Sequence, residues 1–169
     1  MNLLLLVDTR EQNPLLFPKT VTYHESGTIR RASVVVQKSK LSYGDYALEN
    51  FRSACVIERK GSIMEVTSNC LTKDRARFEA ALTRLATSCS HPVLFFEGDT
   101  RSLLRGTTRS DAAEFATDCL LQLLLQHKVQ LLCCKTASFD DRRLAGELVL
   151  RTLLAGSRLS CPVPSSQPS

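Results

Sequence analysis

Five short apolar runs constrain this chain most: Leu3 to Val7, Val34-Val35-Val36, Ala54 to Ile57, Val93 to Phe96 and Val129 to Cys134, the last broken only by Gln130. Runs this short suit central strands covered on both faces better than helices, and they lack the alternation of a half-solvated strand. Tyr23 to Ile29, with Gly27 inside it, reads as a hairpin turn with strands on either side. Helical spacing fills the gaps between the later runs. From Lys73 to Ser88, apolar residues fall at Phe78, Ala81, Leu82 and Leu85. From Asp111 to His127 a Leu-rich face follows Ser110, a candidate N-cap. From Phe139 to Ala155 the helix opens on the capping pattern Ser138-x-x-Asp141 and is expected to close at Gly156. A shorter helical piece is expected after Gly61. Strands first, then helix, strand, helix, strand, helix predicts an α/β fold: a central mixed β-sheet flanked by helices. One domain is expected over residues 1–156, followed by a disordered Ser/Pro-rich tail over 157–169.

Composition narrows the function classes only slightly. With 22 Lys+Arg against 17 Asp+Glu, the net charge of +5 permits a polyanionic partner without requiring one. The seven cysteines are odd in number and form no C-x-x-C pair, which argues against a zinc site and for a reducing compartment. The apolar N-terminal run has no basic segment before it and stops at Asp8. That is too short for a signal peptide or a membrane span, so a buried strand is expected and no membrane association.

The chemistry is concentrated in Glu58-Arg59-Lys60, which follows an apolar strand. Strand side chains alternate, so Glu58 and Lys60 share a face and Arg59 points away. A carboxylate on that face can hold a divalent cation, while the lysine orients or helps deprotonate an attacking water and offsets phosphoryl charge. Mg²⁺ wants several oxygen ligands beside its waters, so further carboxylates are sought next to Glu58. Asp45, after Gly44, and Asp8, at the end of the first run, are the further candidates, because each sits where a buried strand opens to a cleft.

Taken in order, these residues resemble the nuclease domain of the XPF family of structure-specific DNA endonucleases. The family pattern V-D-x-R-E, G-D, E-R-K appears as Val7-Asp8-Thr9-Arg10-Glu11, Gly44-Asp45 and Glu58-Arg59-Lys60. Arg77-Phe78 with Arg84-Leu85, the strand His91 to Glu97, Gln126 to Val129 and the helix start Asp140 to Arg143 extend the likeness from about Leu3 to Leu154. The resemblance implies a restriction-endonuclease-like core and Mg²⁺- or Mn²⁺-dependent hydrolysis of DNA phosphodiesters. Flaps, forks or junctions would be the substrates, in repair, recombination or replication. It assigns Asp8, Asp45 and Glu58 to the metal, Lys60 to the water, Glu11 as a further carboxylate, and Arg59 and Arg10 to phosphate or to site organisation. Pairing with a second copy or a partner nuclease subunit, and an intracellular location in cytoplasm or nucleus, follow from the same likeness.

Arg77 and Arg84 share a helix face, and Arg30-Arg31 belong to a basic stretch with Lys38 and Lys40; these are the candidate DNA-backbone contacts. Two departures stand out. Met64 occupies the position where the family carries Asp after E-R-K, and the adjacent Glu65 is one helical step, about 100°, away. The tandem helix–hairpin–helix module that often follows the domain is not among these residues, so DNA recognition is expected to rest on the domain's own surface or on a partner. These departures favour the alternative reading: a nuclease fold that binds DNA or a partner subunit and cuts weakly or not at all.

Overall fold

The apolar runs assemble into one sheet. The computed structural model describes residues 2–25, 27–106 and 111–159. Its strands are β1 (Asn2–Asp8), β2 (Thr20–Glu25), β3 (Thr28–Ser39), β4 (Tyr46–Leu48), β5 (Cys55–Lys60), β6 (His91–Glu97) and β7 (Gln130–Cys134), in the spatial order β2-β3-β1-β4-β5-β6-β7. β1 runs parallel to β3, and β5, β6 and β7 run parallel to one another. β4 lies antiparallel between β1 and β5, and β2 pairs antiparallel with β3. The sheet is therefore mixed, and β1, β3, β5, β6 and β7 all end on the same edge, where β4 begins.

Helices α1 (Ile63–Leu71), α2 (Arg75–Ser88), α3 (Thr100–Arg105) and α4 (Asp111–His127) cover one face, and α5 (Phe139–Leu159) covers the other. Leu6, Val56, Leu94 and Phe96 pack on the four-helix side with Val66, Phe78, Leu82 and Leu120. Their strand neighbours Leu5, Ile57 and Phe95 pack against Val149, Leu150 and Leu153 of α5. Both faces of the central strands are thus dry, which is why their sequences run apolar without alternating. Burying each such side chain contributes roughly 1.5–3 kcal/mol relative to leaving it in water. Double cover fails toward the edge: Val35 and Val36 on β3 remain 50% and 48% exposed, against the expectation of a fully covered strand.

The capping pattern at α5 forms as expected: the Asp141 N–H donates to Ser138 Oγ at 3.1 Å and the Ser138 N–H to Asp141 Oδ2 at 3.0 Å. Gly156 does not end the helix. α5 continues to Leu159, so Ser157 to Leu159 are its last turn and not the start of a tail. A Cβ at Gly156 would stand 2.5 Å from Cβ of Cys55, so the missing side chain lets α5 close onto β5. Ser110, the expected cap of α4, and residues 160–169 of the expected tail lie outside the described residues.

β4 was not legible as a strand, being three residues long after a Gly-Asp turn. Gly44 makes that turn at φ +69°, and a Cβ there would sit 2.3 Å from Cγ1 of Val56 and 3.1 Å from the Ile57 carbonyl oxygen. Gly44→Ala is expected to destabilise the fold by about 2 kcal/mol or more, read from the urea unfolding midpoint. An unchanged midpoint would show that the turn tolerates a side chain.

Candidate active site

The strand edge gathers the residues that the sequence kept apart. β1 ends at Asp8, β4 starts just after Asp45, and β5 ends at Glu58-Arg59-Lys60. Backbone bonds stitch these ends together: the Asp8 N–H donates to the Asp45 carbonyl at 2.9 Å, and the Asp45 N–H to the Ile57 carbonyl at 2.8 Å. Two residues before Asp8 and Glu58, Leu6 and Val56 face the four-helix side, so Asp8, Glu58 and Lys60 face it too. Arg59 faces the α5 side with Ile57. Its backbone nevertheless serves the front face, because the Arg59 N–H donates to Asp45 Oδ2 at 2.7 Å.

The carboxylates there have different fates. Asp8 is fully buried, and its oxygens accept from Arg10 N (2.8 Å), Arg10 Nε (2.6 Å), Arg10 Nη2 (3.1 Å) and Leu41 N (2.7 Å). Burial alone would raise its pKa, but these bonds and the guanidinium charge hold it below the usual value. Arg10 reaches on to the Leu41 carbonyl at 3.1 Å while its side chain stays 67% exposed. Asp45 goes the other way. Burial and then the neighbouring Glu58 charge push its carboxyl up to about 7, only partly offset by the Arg59 N–H and by Lys60.

Lys60 is 8% exposed in its side chain. Its Nζ lies 2.9 Å from Glu58 Oε1, 3.2 Å from Glu65 Oε1 and 5.1 Å from the centroid of the Phe78 ring. Burial opposes its charge, but the two carboxylates outweigh burial and raise its pKa, so it is held as an ammonium. Glu65 is the side chain that the sequence reading undervalued. Ser62 caps α1 by accepting the Glu65 N–H at 3.2 Å, and Glu65 bends back to accept the Gly61 N–H at 2.9 Å as well as Lys60. In the first turn of a helix a long side chain points back along the chain, so the 100° step does not separate it from Lys60. Met64 is 72% exposed.

Behind the sheet, Arg59 pairs with Glu97 through Nε and with Glu11 through Nη1 at 2.9 Å. Glu97 also accepts Thr136 Oγ1 at 2.7 Å and lies 3.5 Å from Arg142 Nη1. Glu11 is thus engaged behind the sheet with Arg59. Glu97 carried the same signal as Asp8, an acid ending an apolar strand; Arg142 carried none that separates it from Arg143. Arg30 and Arg31 are not brought to the site. They lie on the β2–β3 hairpin, with Arg30 near Glu25 at 3.6 Å, and Arg31 is roughly 26 Å along β3 from the level of Asp8. Arg77 and Arg84 are exposed on α2, with Arg77 directly before the Phe78 that underlies Lys60 and 3.7 Å from Asp74.

Among the described residues, no three His, Cys, Asp or Glu side chains are arranged to hold a metal ion. Asp45 and Glu58 are the pair that could hold a divalent cation, which would relieve the repulsion that adds to burial at Asp45. Mg²⁺ commonly takes only one or two carboxylates and keeps its other positions for water and substrate.

A mixed sheet of seven strands, helices on both faces and acidic residues on one strand edge define the restriction-endonuclease-like nuclease fold. The chain belongs to the ERCC4 domain family, whose model matches residues 7–139. Among solved structures it is similar to XPF from Aeropyrum pernix, with a TM-score of 0.59 at 19% identity over 98% of this chain and 65% of that one. It is similar also to XPF from Aeropyrum pernix in complex with DNA, with a TM-score of 0.58 at 18% identity over 98% of this chain and 70% of that one. The chain therefore spans about two thirds of the length of these structures, and at such identities the likeness is one of fold. Comparison with curated proteins gives no match.

The raised Asp45 carboxyl has a consequence for stability. Its folded pKa of about 7 exceeds the ordinary 3.8, so the folded chain holds this proton more tightly than the unfolded chain. The group's contribution is full below about pH 4 and is lost as the pH rises to about 7. Asp45→Asn keeps an oxygen for the Arg59 N–H and removes the charge. It is expected to flatten that decline and to raise stability at pH 8 by at least about 1 kcal/mol in urea unfolding. A variant no more stable than the parent at pH 8 would contradict the repulsion.

Proposed function

We propose that this chain is a divalent-metal-dependent DNA endonuclease acting at branched structures such as flaps, forks or junctions. The observation that carries the reading is the front face of β5: Glu58 and Lys60 two residues apart, with Asp45 held beside them by the Arg59 N–H. Asp45 and Glu58 would hold Mg²⁺ or Mn²⁺, which when bound would supply Lewis-acid polarisation of the scissile phosphate. Asp8 can join that set only by giving up bonds to Arg10 or Leu41; in the arrangement described it aims Arg10. Lys60, kept charged by Glu58 and Glu65, would offset phosphoryl charge and orient the attacking water rather than remove its proton. Arg10 and Arg77 present exposed guanidinium groups suited to backbone phosphates on either side. The ERCC4 family membership and a similar XPF fold solved with DNA support a nucleic-acid substrate. A DNA-processing role would place the chain inside a cell; among the described residues, no helix is long and apolar enough to cross a membrane. Pairing with a second copy or a partner nuclease subunit is part of the proposal, and exposed Phe115, Leu121 and Leu125 give α4 an apolar surface for it.

The second reading, a nuclease fold that binds without cutting, draws on Met64, which removes an acid from the family pattern. Labelled flap, fork, four-way junction and linear duplex DNA, each incubated with Mg²⁺, Mn²⁺ or EDTA, separates the two. Cutting that needs a metal, prefers a branch and falls at least ~100-fold in folded Glu58→Gln and Lys60→Ala variants is expected. Tight binding of branched DNA without cutting in either metal would establish the second reading.

A further inference from the structure

The ion pairs behind β5 form one connected, largely buried network. Glu11, Arg59, Glu97 and Arg142 bring two acids and two guanidinium groups together, with side-chain exposures of 8%, 12%, 4% and 19%. Buried ion pairs are seldom more stabilising than apolar packing, because desolvation offsets attraction. What this network does instead is connect. Glu97 ends β6, Arg59 lies on β5, Thr136 follows β7, Arg142 is on α5, and Glu11 begins the segment after β1. Glu11 also accepts the Asn13 N–H at 2.8 Å, and Arg142 donates to the Asn13 and Pro14 carbonyls at 3.0 and 2.8 Å. The segment after Arg10 is thereby fixed to α5.

Arg59 is the only residue of β5 whose side chain enters this network while its neighbours on both sides, Glu58 and Lys60, face the front. Its N–H holds Asp45 Oδ2 at 2.7 Å. Holding the guanidinium therefore restrains the peptide that carries the bond to Asp45, between Glu58 and Lys60, whose facing strand alternation already sets.

We infer that Glu97 is a positioning residue: through the Arg59 side chain it braces, from the opposite face of the sheet, the Arg59 N–H and the Glu58–Lys60 pair of the proposed active site. This rests on the nuclease reading for its catalytic consequence, though not for its geometry. Glu97 touches none of the front-face side chains, so it acts through Arg59, and Thr136 and Arg142 hold it in turn.

The test uses the full chain with Glu97→Ala, Glu97→Gln and Thr136→Val, screened for folding by circular dichroism. The first readout, taken without metal or DNA, is the amide proton resonance of Arg59. A 2.7 Å bond to a carboxylate places it downfield, and it is expected to move upfield in Glu97→Ala and to a smaller extent in the other two. The second is cleavage: kcat is expected to fall by ~tenfold or more in Glu97→Ala with KM for DNA nearly unchanged, since geometry and not binding is lost. If Glu97→Ala does not fold, Glu97→Gln and Thr136→Val, which keep the volume, decide by the same resonance. A folded variant with the Arg59 resonance in place overturns the brace. A resonance that moves in a chain whose parent cuts no DNA leaves the brace standing and removes the nuclease reading.

Discussion

Three charged residues in succession on a central strand set the terms for everything around them. Glu58, Arg59 and Lys60 end β5 between two layers of helices, and a buried charge without a partner would cost more than the strand's packing returns. Strand alternation sends Arg59 to one face and the other two to the opposite face, so partners are needed on both. Behind the sheet Glu11 and Glu97 meet Arg59; in front Glu65 and Glu58 meet Lys60. The fold supplies those partners from segments far apart in sequence, which is the structural reason that the strand ends converge where they do.

The two faces are satisfied to different degrees. The rear network pairs two acids with two guanidinium groups and is closed. The front has Asp45 and Glu58 near one ammonium, with a third acid, Glu65, drawing on the same charge. Burial, and after it this excess negative charge, holds the Asp45 carboxyl near 7. Such a carboxyl at the open edge of the sheet costs stability, the exchange expected of functional positions, and a cation is the proposed beneficiary. Lys60 is clamped as an ammonium over Phe78, and in the proposed function its charge would face a metal-associated phosphate.

The central strands were readable from sequence because burial on both faces writes itself as unbroken apolar runs. β4 was not, since three residues after a turn carry no periodicity, and neither was the exposure of Val35 and Val36, which depends on how far the helices reach across the sheet. Gly156 looked like a helix stop because glycine serves both as a cap and as a point of close approach; only the position of Cys55 distinguishes them. The candidates Asp8, Asp45, Glu58 and Lys60 could be named from strand ends and a resemblance, but the raised Asp45 carboxyl could not, because it follows from burial and charges brought together by distant segments. Glu65 stays open in the sequence as a partial substitute for the acid missing at Met64, because a helical step of about 100° does not show where a first-turn side chain points, and Arg142 is fixed by contacts to Asn13 and Pro14 that no local pattern encodes. Arg30 and Arg31, conspicuous in sequence, belong to a hairpin remote from the site.

The front face is proposed to hold an acid pair that takes up a divalent cation, and the Asp45 carboxyl reports it directly. Its titration can be followed by carbon NMR in protein labelled at aspartate, assigned with Asp45→Asn, first without metal and then with Mg²⁺. A midpoint near 7 is expected without metal, falling below about 5 when the cation is added, because a bound cation favours the ionised form. A midpoint near the ordinary 3.8 without metal, or one that Mg²⁺ leaves in place, would contradict it.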